Sequence, residues 1–136
     1  MKVFLDTNVI LDFLMKREPF FDDAKTIMAL GYNKCYDLYI SSLSFSNIAY
    51  IARKKFHGEN LYKIFEGIRE ISEVTTIVGR AIDSAIQLRD DDFEDALQYL
   101  SAKNNGIDCI VTRNIKDFSF SDIEILTPKD FLSKYI

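Results

Sequence analysis

Five short apolar runs, each set between segments of helical periodicity, constrain the fold of this chain more than any other feature. The runs are KVFL (2–5), LYIS (38–41), TTIV (75–78), CIVT (109–112) and a weaker IEIL (123–126). Apolar runs of this length between longer periodic segments read as strands. The first and fourth are apolar at successive positions, a pattern expected when helices cover both faces of a parallel sheet. Between the strands, EPFFDDAKTIMALGY sets Phe20, Ala24, Ile27, Met28 and Leu30 near helical spacing, with Pro19 in a first turn and Gly31 as a stop. ENLYKIFEGIREI carries Leu61, Ile64, Phe65, Ile68 and Ile71 on one stripe. DDFEDALQYLSAKNNG carries Phe93, Ala96, Leu97 and Leu100, with Asn105-Gly106 closing the helix. Right-handed crossovers then restrict the topology of this α/β chain.

In open parallel sheets ligands bind beyond the carboxyl ends of the strands, where the strand order reverses. Asp6 stands at the end of the first run, in FLDTNVI, and TRNIKDF begins at the end of the fourth. Asp6 has a plainer reading as well, because Asp is a favoured helix N-cap. Asp92 and Asp95 lie three apart at a helix start and so near one face. Asp92 reads as the N-cap. Asp95 falls inside the first turn between core positions, where a carboxylate is half-buried. Asp6, Asp95 and Asp117 thus come from distant parts of the chain and aim at one edge.

Like charges gathered without a counter-ion raise one another's pKa and destabilise the fold. A divalent cation removes that cost, and an oxygen-only donor set suits Mg²⁺ or Mn²⁺. Beside a phosphodiester such an ion supports hydrolysis by an activated water, with no protein nucleophile needed. No Ser-His or Cys-His arrangement is present to supply one.

Composition narrows the alternatives. At 136 residues, 48% hydrophobic, with two Pro and five Gly, the chain reads as a single domain over 1–136 with a packed core and no linker. Cys35 and Cys109 form no C-x-x-C pair, and Cys109 sits in the apolar DCIVT as a buried thiol. With His57 as the sole histidine, in a loop after RKKF, a zinc site is not expected. The start MKVFLD lacks signal-peptide architecture and no apolar stretch reaches membrane-span length, so a cytoplasmic protein with no membrane partner is expected. A net charge of −4 does not suit a protein that holds nucleic acid by bulk electrostatics, so a polyanionic partner implies a local cation.

The ordered set FLDTNVILD, ISSLSFSNIAYIARK, DFEDALQY and IVTRNIKDF resembles the PIN domain over essentially the whole chain, and is most similar to short bacterial toxin ribonucleases of toxin–antitoxin pairs. That resemblance implies a three-layer α/β/α sandwich with a central, mostly parallel sheet of four or five strands. It also implies a Mg²⁺- or Mn²⁺-dependent endoribonuclease acting on single-stranded RNA, with a cognate antitoxin and a homodimer as expected partners. Asp6 matches the first acid of the family, Asp95 the helix acid, and Asp117 an acid after the fourth strand. Asn114 falls where many members carry another Asp. Asn47 falls where the family usually carries Glu, and as a neutral side chain it weakens charge neutralisation of the cation. Asn8, Asn47, Asp92, Thr112 and Asn114 are expected to support the acids, and Arg113 to contact phosphate.

Two further readings stand beside this one. A PIN-fold binding module that lost its metal through Asn47 would keep the fold without the activity. DTN after a strand is also similar to the first motif of haloacid-dehalogenase-like phosphatases. That reading would make Asp6 a nucleophile and requires a paired-acid loop, which TRNIKDF matches poorly.

Overall fold

The computed structural model describes residues 1–136. Its strands are β1 (Lys2–Leu5), β2 (Asp37–Ser41), β3 (Ser72–Thr75), β4 (Cys109–Val111) and β5 (Glu124–Leu126). Its helices are α1 (Thr7–Leu14), α2 (Phe21–Tyr32), α3 (Ser42–Ala52), α4 (Glu59–Ile71), α5 (Gly79–Leu88), α6 (Phe93–Lys103) and α7 (Pro128–Tyr135), with a 3₁₀ turn at Ile115–Phe118. All five strands are parallel, in the order β3-β2-β1-β4-β5.

The side-chain period of two distributes β1 between two cores. Val3 lies opposite Leu38 and Cys109, and Leu5 opposite Ile40 and Val111. This face packs against α1, α2, α3, α4 and α7 through residues such as Ile10, Ile27, Ile48 and Phe131. Phe4 and Ile110 point the other way and meet Tyr99 and Ala102 of α6 and Phe118 of the 3₁₀ turn. Phe4, Leu5 and Ile110 are fully buried, each contributing about 1.5–3 kcal/mol of transfer free energy. Helices thus cover both faces, and the expected three-layer sandwich is found with five strands. No helix is long and apolar enough to cross a membrane.

Several local expectations are corrected. The third strand is Ser72–Thr75 rather than 75–78, and it comes directly after α4. Pairing Leu38 with Ser72 and Ser41 with Thr75 sets its register, while Ile77 packs in a satellite cluster with Ala85 and Leu97. Pro19 precedes α2 rather than sitting in its first turn. Gly31 does not end α2, which runs on to Tyr32. A Cβ there would meet the Leu38 Cδ2 atom at 3.3 Å, so the glycine serves close approach of α2 to β2. Phe93 is 46% exposed, leaving Ala96, Leu97 and Leu100 as the apolar stripe of α6. Gly106 takes a left-handed φ of 67° after α6, as the Asn-Gly stop requires.

Candidate active site

The strand order reverses between β1 and β4: β1 leads outward to β2 and β3, β4 to β5. Both strands end at this edge, and the segments leaving them build the site. Asp6 continues the ladder, its N–H donating to the Val111 carbonyl at 3.0 Å, and then caps α1 at φ −68°, ψ 150°. Its Oδ1 accepts from the Thr7 N–H at 2.7 Å. Its Oδ2 accepts from the Thr112 hydroxyl at 2.7 Å and the Asn8 amide at 3.2 Å. Asp6 thus caps α1, as its plainer reading has it, and also lines a cavity. Around it, Thr112 Oγ1 accepts from the Asn114 N–H at 3.1 Å, and Asn8 Oδ1 from the Arg113 N–H at 3.4 Å. Asn8, Thr112 and Asn114 thus tie the ends of β1 and β4 together.

The other acids arrive from α6 and the 3₁₀ turn. Asp92 caps α6, accepting from the Asp95 N–H at 3.1 Å, and so draws the two carboxylates together. Asp95 is 8% exposed. Asp117 stands in the 3₁₀ turn after β4, and one carboxylate oxygen each from Asp92, Asp95 and Asp117 lie within 4.8 Å of one another. Asp6 joins them in lining a cavity of about 340 Å³, with Asn47 and Glu94 on its wall.

Electrostatics are set by this crowding. Burial, then the charges of Asp6, Asp92 and Asp117, push the Asp95 carboxyl up to about 8. Burial also raises Asp6, with Asp117 adding to it, although hydrogen bonds from Thr112, Thr7 and Gln98 pull the other way. Glu94 is raised by burial and by Asp92 and Asp6, against amide hydrogen bonds from Asn47 and Gln98. Arg17 is the only cationic side chain lining the cavity. Carboxylate donors alone, close together and short of positive charge, fit a hard divalent cation such as Mg²⁺ or Mn²⁺.

One sequence expectation meets a different placement. Arg113 does not turn its guanidinium to the cavity: Nε and Nη2 pair with Asp12 at 2.7 and 3.2 Å, and the group lies 4.1 Å from the Phe20 ring centre. This bidentate pair occupies Nε and Nη2 on the Asp12 side, and Arg17 is the cation lining the cavity instead. Asn47 donates its Nδ2 to Glu94 Oε1 at 2.6 Å and so supports an acid, as expected, through its nitrogen. Sequence reasoning missed Glu94, Gln98, Arg17 and Asp12. Only Glu94 left a signal, as one more acid in the crowded DDDFED.

An all-parallel sheet with carboxylates converging where its order reverses agrees with the resemblance to the PIN class of proteins. The chain belongs to the PIN domain family, which it matches over residues 2–116. It is 33% identical over 143 residues to "Ribonuclease VapC1" of Aquifex aeolicus (strain VF5), covering 98% of this chain and 95% of that protein. A toxin-antitoxin complex from Klebsiella pneumoniae contains a similar chain, with TM-score 0.67 and 20% identity over 93% of this chain and 97% of that one. Mycobacterium tuberculosis VapC20, described as a sarcin-ricin loop cleaving toxin, is similar with TM-score 0.62 and 16% identity over 79% of this chain and 86% of that one. The two solved structures share the fold.

Proposed function

We infer that this protein is a Mg²⁺- or Mn²⁺-dependent endoribonuclease of the VapC kind, the toxin of a toxin–antitoxin pair, acting on single-stranded RNA in the cytoplasm. The observation that carries the reading is the trio Asp92, Asp95 and Asp117, with ligand oxygens within 4.8 Å, beside a buried Asp6 that meets no cation. The kinship to a ribonuclease at 33% identity supports the reaction class. The likeness to a chain of a toxin-antitoxin complex supports an antitoxin partner.

Asp6, Asp95 and Asp117 would hold the ion, with Asp92 beside them. When bound, the ion supplies neutralisation of the scissile phosphate and a lowered pKa for the attacking water. The chain's own residues do the rest. Thr112, Asn8 and the Thr7 N–H fix the Asp6 carboxylate before any ligand arrives, so its orientation costs nothing at the moment of reaction. Asp95 holds a proton near neutral pH in the ion-free protein and releases it on loading, which makes ion binding pH-dependent. Arg17, at the rim, can pair with a neighbouring phosphate of the RNA. No side chain acts as a nucleophile, so the products carry 5′-phosphate ends and no cyclic phosphate.

The test is cleavage of a labelled mixed-sequence RNA by purified protein with Mn²⁺, beside Asp6→Asn. The substitution should slow cleavage by at least about 100-fold, roughly 2.7 kcal/mol of transition-state stabilisation, while the fold survives. Equal cleavage by both proteins would place the site elsewhere. Ion binding without cleavage across many RNAs would favour a binding module.

A further inference from the structure

Gln98 is fully buried in α6, and its Oε1 is the one buried side-chain polar atom with no hydrogen-bond partner. Leaving such an acceptor unmade costs on the order of 1–3 kcal/mol, so the residue is a poor choice for packing alone. Its gain lies at the other end of the amide. Nε2 lies 3.4 Å from Glu94 Oε1, one helical turn back, and the amide also favours the charged form of Asp6. Two carboxylates on that side require the nitrogen, not the oxygen, to face them, which fixes the orientation of the amide.

Glu94 is gripped from a second direction. Asn47, on α3, donates its Nδ2 to the same Oε1 at 2.6 Å. Two carboxamides from two helices therefore converge on one oxygen, and Glu94 Oε2 accepts no hydrogen bond from the protein. The side chain lines the acidic cavity. A Glu this near Asp6 and Asp92 would swing into solvent under like-charge repulsion if nothing held it.

We propose that Glu94 is a further ligand of the divalent-ion site, held in place by Asn47 and Gln98 as positioning residues. The proposal rests on reading the cavity as an ion site. It adds a carboxylate to Asp6, Asp95 and Asp117, and it accounts for a buried amide kept with an orphaned oxygen. The neutral Asn47 then contributes by holding an acid rather than by being one.

Calorimetric titration of the RNA-free protein with Mn²⁺ tests this independently of catalysis. Glu94→Gln should weaken Mn²⁺ binding about tenfold or more, and Gln98→Met and Asn47→Ala should weaken it by about tenfold, the range seen when partners of ligands are removed. The ion-free melting temperature should not fall in Glu94→Gln, which loses a repelled charge, or in Gln98→Met, which loses the orphaned acceptor. If the wild type binds no Mn²⁺, the ion-site reading fails and this proposal with it. If the wild type binds and Glu94→Gln binds equally well, Glu94 is no ligand and the proposal alone is overturned. A lowered melting temperature with unchanged affinity in Gln98→Met would make Gln98 a packing residue. Should that variant not fold, Asn47→Ala, at a half-buried position, decides whether the grip on Glu94 matters.

Discussion

Asp6 and Asp12 are buried on the same helix, one at its cap and one near its end, and they meet the cost of burial in opposite ways. Asp12 is wholly inaccessible, yet Arg113 pairs with both of its oxygens at 2.7 and 3.2 Å and Arg17 stands 3.9 Å away. Asp6 is 5% exposed, and its hydrogen-bonding neighbours, Thr7, Asn8, Thr112 and the Gln98 amide, are all neutral. Its charged neighbours in the cavity are mostly acids. A carboxylate closed off by its own cation is structural. One left with acids for company, at the reversal of a parallel sheet, is the carboxylate that the proposed ion site draws on.

The largest effect expected of this contrast is on stability. Arg113→Ala should cost up to about 3–5 kcal/mol in urea unfolding, because it leaves the buried Asp12 charge with Arg17 alone, 3.9 Å away. Replacing both partners, Asp12→Leu with Arg113→Met, should recover most of that loss. Asp6→Asn should cost little or be stabilising in ion-free protein, since it removes a repelled charge. A loss below about 1 kcal/mol for Arg113→Ala, the range of exposed pairs, would erase the distinction between the two regions.

Ion binding should produce the next effect. Mn²⁺ at about 100 times its dissociation constant should stabilise the wild type by roughly 2.7 kcal/mol, read as a rise in melting temperature. Asp6→Asn and Asp117→Asn should lose most of this rise. Asp12→Asn should melt lower but keep the full increment. An equal increment in Asp6→Asn would show that the ion binds elsewhere.

Between pH 6 and 9 the effect of pH should be of the same order as that of the ion. Asp95 has a folded-state pKa of about 8, above its ordinary value of 3.8. The folded protein therefore holds a proton that the unfolded chain gives up. The resulting stability is full below about pH 4 and is lost as pH rises through about 8, with a slope of at most about 1.4 kcal/mol per pH unit. Ion-free protein should melt lower at pH 9 than at pH 6, and Asp95→Asn should flatten that dependence. A wild-type melting temperature that rises over this range would mean that Asp95 is ionised from the start.

Much of the architecture is legible in the chain because the signals are local. A strand buried on both faces reads as an unbroken apolar run, which is why β1 and β4 stand out nearly to the residue. The α4 stripe has the period of a helix, and Glu59–Ile71 is helical throughout. That Asp6, Asp92, Asp95 and Asp117 come to one cavity is legible too, since each lies at or within a turn of an element start. The position of β3 is not, because an edge strand takes its register from its neighbour, and Ser72–Thr75 pairs better with β2 than its own apolarity suggests. Helix α5 escapes a sequence reading, being short, with Ala81 and Ala85 as its buried face.

What tertiary structure alone decided was which charge meets which partner. Arg113 and Asp12 are 101 residues apart, and Asn47 and Glu94 are 47 apart. Nothing in the local sequence of either pair announces the other. Sequence pattern reflects burial and backbone period, which act over a few residues. Electrostatic pairing is short-ranged in space yet indifferent to distance along the chain, so only the folded sheet could show one acid of α1 closed by an arginine and the other left open.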